Sequence, residues 1–255
     1  MMKEMPLPFS LAGKTALVTG ASSGLGAYFA RVLANHGASV ILTARRIGAL
    51  EAVAADIAAA GGEVSVAALD VTSSTSIADL ARELAMTDIL INNAGVVREK
   101  PVLDQTEADW DAVIDTNLKG MFLMAQAAAQ AMKAGGRTGN IVNVASILGL
   151  RQGGALLPYA VSKAGVIQMT KQLGLELARF GIRVNALAPG YVKTDLNRDF
   201  WESDAGMTMI KRIPQRRIGM FDDLEGPLLL LASDASAYMT GSVVTVDGGH
   251  LVGSL

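Results

Sequence analysis

The pattern that most restricts the fold of this chain is a strict alternation of short apolar runs with longer helical repeats. Lys14–Thr19 reads as a first strand, after which Leu25, Phe29, Val32 and Leu33 recur at helical spacing. Ser39–Thr43 predicts a second strand, and an Ala-rich helix over Leu50–Ala60 ends at Gly61-Gly62. Glu63–Leu69 is a third strand, Ser73–Met86 a helix and Asp88–Ile91 a fourth strand. A long helical region covers Glu107–Lys133. Then come a fifth strand at Ile141–Val144, a helix over Tyr159–Arg179 and a sixth strand at Arg183–Leu187. Asp222–Ala232 predicts a last helix and Val243–Val246 a last strand. Such alternation requires parallel strands whose crossover helices cover both faces of the sheet. No Pro- or Ser-rich linker, repeat or block of like charge interrupts it. Residues 1–255 therefore read as one domain, with residues 1–10 as an N-terminal extension.

Sheets of this kind bind ligands beyond the carboxyl ends of their strands. The first strand runs into Thr19-Gly20-Ala21-Ser22-Ser23-Gly24-Leu25-Gly26, which opens a helix. Glycine lets backbone approach a phosphate, and the free N–H groups at a helix start attract anions. Gly20, Ser22, Ser23, Leu25 and Gly26 are thus candidates for a pyrophosphate site, the alternative being an ordinary tight turn. Asp70-Val71 follows the third strand, and Asn92-Asn93-Ala94-Gly95 the fourth. Pro189-Gly190-Tyr191-Val192-Lys193-Thr194 follows the sixth. Each could be loop punctuation, but together they line one edge.

The fifth strand ends at Ser146, while Tyr159 and Lys163 lie one turn apart near the start of a helix. A hydroxyl, a phenol and an ammonium can therefore meet. A free phenol, with a pKa of about 10, is too weak an acid to exchange protons readily near neutrality. A fixed positive charge nearby lowers that value. Lys163 can supply the charge, Tyr159 the proton, and Ser146 a hydrogen bond to an oxygen whose charge changes. The trio suits proton transfer to or from a carbonyl or alcohol oxygen.

Composition excludes several other functions. The chain has no Cys, hence no disulfide, thiolate metal site or Cys nucleophile. His36 and His250 are far apart in sequence and suggest no metal site; His36 reads as a C-terminal helix residue. The net charge of −2, with signs interspersed, shows no nucleic-acid footprint. No apolar run reaches the ~20 residues of a membrane helix. The first ten residues lack the apolar core of a secretory signal. These features predict a soluble, cytoplasmic protein acting on a small molecule, with no nucleic-acid or membrane partner.

Taken together the motifs resemble the short-chain dehydrogenase/reductase family over about Phe9 to His250. T-G-x-x-x-G-x-G stands at Thr19–Gly26, N-N-A-G at Asn92–Gly95 and Y-x-x-x-K at Tyr159–Lys163, with Ser146 thirteen residues before the Tyr. Asn117, Pro189-Gly190 and Asp247–Gly249 also match. The resemblance implies a Rossmann-like, doubly wound parallel seven-stranded sheet and hydride transfer between a nicotinamide and a carbonyl/alcohol pair. It implies that Tyr159 is the acid/base, that Lys163 lowers its pKa and holds the nicotinamide ribose, that Ser146 orients the substrate oxygen and that Asn117 holds a water in a proton relay. The cofactor would be lined by Gly20, Ser22, Ser23, Leu25, Gly26, Asp70, Val71, Asn93, Ala94, Gly95, Tyr159, Lys163, Pro189, Gly190, Val192 and Thr194. Divergent enoyl reductases separate Tyr from Lys by more residues. Within the family, 3-oxoacyl-[acyl-carrier-protein] reductases and sugar-acid or polyol dehydrogenases are alternatives to a ketone reductase/alcohol dehydrogenase. From another class, a catalytically silent dinucleotide sensor is the rival reading, against which an intact Asn117, Ser146, Tyr159 and Lys163 argues.

Three finer expectations follow. The second strand ends Leu42-Thr43-Ala44-Arg45-Arg46 without the acid that binds both ribose hydroxyls of NAD. Arg45, assisted by Arg46, suits a 2′-phosphate, so NADP(H) is preferred over NAD(H). Small and flexible residues (Met121, Ala125, Ala128, Ala129 and Met132, with Val166, Thr170 and Leu173 on the next helix) permit close helix contact. The resemblance turns them into a homotetramer interface. Residues 194–214, with Leu196, Phe200, Trp201, Met207, Met209 and Ile210, are expected to form a substrate lid.

Overall fold

A computed structural model describes residues 9–194 and 197–253. Seven strands form one sheet: β1 (Thr15–Thr19), β2 (Ser39–Ala44), β3 (Val64–Ala68), β4 (Ile89–Asn92), β5 (Gly139–Val144), β6 (Ile182–Pro189) and β7 (Val243–Val246). Their order is β3-β2-β1-β4-β5-β6-β7, and every pairing is parallel. The described residues include ten α-helices: α1 (Gly24–Asn35), α2 (Ile47–Ala59), α3 (Ser74–Ala78), α4 (Ala81–Met86), α5 (Glu107–Ile114), α6 (Met121–Ala134), α7 (Leu157–Leu177), α8 (Arg198–Glu202), α9 (Asp204–Ile210) and α10 (Glu225–Ala232). The doubly wound parallel sheet expected from the alternating pattern is thus the fold that forms.

Successive strand residues point to opposite faces of a sheet, and the core divides accordingly. Ala16 and Val18 of β1 join Val40, Leu42, Ile89, Ile91, Val142 and Val144 under α1, α2 and α10. Leu17 instead joins Ile41, Leu90 and Ile141 on the other face, under α4 and α6. Every one of these strand side chains is buried. Burial on both faces is what near-continuous apolar runs of this kind require.

The strand order reverses between β1 and β4, which opens a crevice at their carboxyl ends. The turns after those two strands meet there. Thr19 Oγ1 accepts hydrogen bonds from Asn93 N at 2.9 Å and Ala94 N at 3.0 Å, and Asn93 Nδ2 donates to Thr19 O at 3.0 Å.

Several boundaries differ from the expectation. The helix read over Ser73–Met86 is two short helices, α3 and α4, that break at Asp79-Leu80. The helical region Glu107–Lys133 holds a wide π turn at Asp115–Gly120 between α5 and α6. Helix α7 starts at Leu157, with Pro158 in the first turn where a missing N–H costs nothing. Asp222–Ala232 begins as a 3₁₀ turn, Phe221–Leu224. His36 does cap the end of α1, its Nδ1 lying 2.9 Å from Val32 O.

The small residues read as a subunit interface are a correction. Met121, Ala125, Ala128, Ala129 and Met132 are buried within this subunit, as are Val166 and Thr170, and Leu173 packs partly against the same core. Small side chains let α6 and α7 lie close to their own sheet. Sequence periodicity gives the face of a helix but not which neighbour meets it.

Candidate active site

Ser146, Tyr159 and Lys163 meet where β5 ends. Ser146 adopts extended backbone and its Oγ accepts from Leu148 N at 3.1 Å, which closes a 3₁₀ turn over Ile147–Gly149. That turn lies hard against α7. A Cβ on Gly149 would fall 2.6 Å from Lys163 C and 2.7 Å from Lys163 O, so only glycine permits the approach. Ser146 also hydrogen-bonds to the Tyr159 side chain. The Lys163 Nζ sits 5.6 Å from the centre of the Tyr159 ring and donates to Val144 O at 2.7 Å. The β5 carbonyl therefore aims the ammonium back along the face of α7 that carries the phenol.

Lys163 is 3% exposed. Burial disfavours its charge and holds its pKa down at about 8. Burial also pushes the Tyr159 phenol up, and the Ser146 hydrogen bond opposes that. Among the protein's own groups, desolvation thus outweighs the lowering that a nearby ammonium was expected to produce. The reason is geometric: the Nζ is engaged with a carbonyl and faces the ring.

Asn117 reaches the same place from the π turn. Its Oδ1 accepts from Val96 N at 2.7 Å and its Nδ2 donates to Val96 O at 2.9 Å, as a neighbouring strand would. Nδ2 also lies 3.3 Å from Ser162 Oγ, which donates to Tyr159 O at 2.7 Å. Asn117 thereby ties the segment after β4 to the helix that carries Tyr159. A π turn inside a helix frequently marks such a site. Gly120 lets the turn rest on Val71, where a Cβ would meet Val71 Cγ2 at 2.8 Å.

Beside this cluster runs a cleft of about 540 Å³. Gly20, Ser22, Ser23, Leu25, Gly26, Arg45, Arg46, Asp70, Val71, Asn93, Ala94, Gly95 and Thr194 all line it. Its floor is backbone. A Cβ on Gly26 would collide with Gly20 O, and Gly20 itself holds φ +67. Ser23 caps α1 without a side-chain hydrogen bond, which leaves the helix's first N–H groups facing the cleft. Asp70 is held below the usual carboxylate range, first by hydrogen bonds from Thr72 and then by the nearby Arg45 charge. Arg45 and Arg46 are both exposed, and Arg46 Nη2 lies 3.5 Å from Ser22 Oγ. A glycine-floored crevice ending in guanidinium groups fits a dinucleotide.

Not every expected residue lines that cleft. Gly190 lies against the end of β7, where a Cβ would be 2.7 Å from Asp247 Cα, so its want of a side chain has a packing cause. Val192 is buried in the core and bridges to Gly219. Pro189 closes β6. Thr19, Val96 and Ser162 were missed, although Val96 directly follows the N-N-A-G motif and Ser162 lies between the Tyr and the Lys. Among the described residues no group of His, Asp and Glu is placed to hold a metal ion. Nor is any helix there long and apolar enough to cross a membrane.

In the 194–214 segment, Trp201 is buried, with its ring 5.3 Å from that of Tyr191 and 4.9 Å from that of Phe200. Phe200 and Met207 are exposed, and Met209 and Ile210 partly buried. Leu196 lies outside the described residues.

This fold and cleft define a dinucleotide-binding protein of the doubly wound class. A family profile described as enoyl-(acyl carrier protein) reductase matches residues 20–250. Gluconate 5-dehydrogenase of Gluconobacter oxydans is 37% identical over 250 residues, covering 96% of this chain and 97% of the relative. A 3-oxoacyl-[acyl-carrier-protein] reductase of Thermotoga maritima is 39% identical, covering 95% and 99%. The structure of a gluconate 5-dehydrogenase from Burkholderia cenocepacia, in complex with NADP and tartrate, superposes with a TM-score of 0.92 at 35% identity, covering 97% and 98% of the two chains. The chain belongs to the short-chain dehydrogenase/reductase family. It is an oxidoreductase that uses a nicotinamide dinucleotide on CH–OH or C=O groups.

Proposed function

We propose that the protein interconverts a ketone and a secondary alcohol with NADP(H), using Tyr159 as the acid/base. The observation that supports this most is the meeting of Ser146, Tyr159, Lys163 and Asn117 beside a glycine-floored cleft. When bound, the dinucleotide supplies or accepts the hydride. The chain's own residues handle the oxygen. Ser146, hydrogen-bonded to Tyr159, orients the substrate oxygen beside the phenol. Tyr159 gives a proton to that oxygen during reduction and takes one from it during oxidation. Lys163 holds a positive charge near the phenol and so favours the phenolate as it forms. Asn117 fixes the segment after β4 and, through Ser162, the first turns of α7. The cleft residues from Gly20 to Gly26 hold the pyrophosphate, Asp70 and Val71 with Asn93 to Gly95 line the adenosine side, and Pro189 to Thr194 border the nicotinamide side. Residues 197–214 close over the substrate and exclude water.

NADP(H) is preferred because the edge after β2 offers Arg45 and Arg46 and no carboxylate. NADP bound to structural relatives, among them a gluconate 5-dehydrogenase-like protein of Beutenbergia cavernae, supports this. The protein works as a cytoplasmic homotetramer through the outer sides of α6 and α7, where Phe122, Leu157, Val161 and Leu175 are exposed apolar residues. Light scattering at assay concentration is expected to give four times the 26.5 kDa chain mass, and a monomeric mass would contradict it.

Tyr159→Phe removes only the exchangeable proton. Turnover of every carbonyl and alcohol should fall at least about 100-fold, while NADPH affinity, read from its fluorescence, stays within a few-fold. Near-parental turnover would sink the mechanism. For the cofactor, kcat/KM is compared for NADPH and NADH on one carbonyl substrate. The parent should prefer NADPH, and Arg45→Ala should weaken NADPH about 10- to 100-fold, the worth of one charge-assisted hydrogen bond, without affecting NADH. Equal losses for both would refute the assignment.

A further inference from the structure

Beyond Ser146 the same loop carries a cation that none of the roles above uses. Arg151 stands one turn past the 3₁₀ turn, its N donating to Ile147 O at 2.8 Å. The residue is half-buried, and among the described residues its guanidinium makes no ion pair. Among the described residues its one side-chain hydrogen bond runs from Nη1 to His250 O at 2.5 Å. A guanidinium has five N–H donors in a planar fork, so most of this one is unspent. Lifting a cation partly out of water with one neutral acceptor is costly unless an anion completes the set.

The groups around Arg151 form a wall drawn from the turn after β6, α8 and the C-terminal turn. The Tyr191 ring is tilted against His250 at 5.5 Å and against Trp201 at 5.3 Å. Arg151 and Glu99 are the charges that act on the Tyr191 phenol, from opposite signs. Two ring nitrogens in this wall, Trp201 Nε1 and His250 Nδ1, are buried and have no hydrogen-bond partner among the described residues. Such orphaned groups ask for an explanation. Burial holds the His250 imidazole below its ordinary pKa; the Arg151 and Arg212 charges add to this and the Asp247 carboxylate opposes it. The wall therefore offers one largely unspent fork, one imidazole nitrogen and one indole N–H.

The geometry points to a hydroxy or oxo acid as substrate, with Arg151 binding its carboxylate while the reacting carbon lies at Ser146 and Tyr159. This rests on the ketone/alcohol reading above and assigns the substrate class and a specificity residue to it. A bidentate carboxylate suits the unspent fork. A short hydroxylated chain between carboxylate and reacting carbon can serve the two orphaned ring nitrogens. Glu99, exposed on the segment after Gly95, opposes Arg151 in its effect on the Tyr191 phenol and so disfavours an anion near itself.

The test is calorimetric binding to the NADP-loaded full chain, which needs no turnover. D-Gluconate is the acidic probe and D-glucitol its neutral counterpart. The parent should bind gluconate more tightly than glucitol. Arg151→Gln keeps a donor for the His250 carbonyl and loses only the charge; it should weaken gluconate about 10- to 100-fold and leave glucitol unchanged. Glu99→Gln should tighten gluconate a few-fold. Equal binding of the two probes by the parent would overturn the assignment. So would an Arg151→Gln variant that weakens both alike, because Arg151 would then serve only to hold the C-terminal turn. Charge-dependent gluconate binding without turnover of any carbonyl or alcohol would instead overturn the ketone/alcohol reading and leave the anion site standing.

Discussion

The hydrogen bond from Lys163 Nζ to Val144 O joins the last residue of a central strand to the second turn of a helix. Most of the geometry of the candidate site depends on it. The strand end fixes Ser146, the helix fixes Tyr159, and the buried ammonium between them fixes their separation. Gly149 is the condition for that closeness, since any side chain there would press on the Lys163 backbone. The arrangement costs stability, because an ammonium with one neutral partner is held out of water. Functional sites commonly carry such costs, and the surrounding core sustains them.

A second buried polar set supports the site from below. Asn92, at the end of β4, donates from Nδ2 to Met121 O at 2.7 Å and lies 3.2 Å from Asn143 Oδ1. Asn143 in turn donates to Thr170 Oγ1 at 2.9 Å. These groups join β4, β5, α6 and α7 where small residues bring the helices close. Met121 directly follows the π turn, so the same bonds hold the base of the loop that presents Asn117. In an apolar core, hydrogen-bonded amides specify one packing more strictly than apolar contacts do, although Asn92 Oδ1 has no partner among the described residues.

Much of this was legible in the residues. Alternation gave the parallel sheet, because buried strands leave continuous apolar runs and their helices leave a 3.6 period. The glycine turn after β1 and the Tyr159/Lys163 spacing placed two halves of the site, because each is local to one turn of chain. The π turn was not legible: residues 107–133 keep a helical composition, and the wider turn answers to Val96 and Val71, far away in sequence. The inward face of α6 was read as the outward one for a related reason, since Met121 to Met132 would suit either neighbour. Phenol acidity was also misjudged in the protein alone. Spacing shows that Tyr159 and Lys163 approach each other, but not that the ammonium faces a carbonyl and that burial dominates.

The central claim is that Lys163 is a buried ammonium whose charge is disfavoured by burial, and stability against pH tests it. Its folded pKa, about 8, lies below the ordinary value of 10.5. Between those values the unfolded chain binds more protons than the folded one, so stability rises with pH across that window, and the full penalty is present below it. Denaturant unfolding of the parent and of Lys163→Met, followed from neutral pH to pH ~9.5, isolates this contribution. The parent should gain roughly 2 kcal/mol relative to the Met variant over that range. A difference between the two proteins that stays flat with pH would contradict the account.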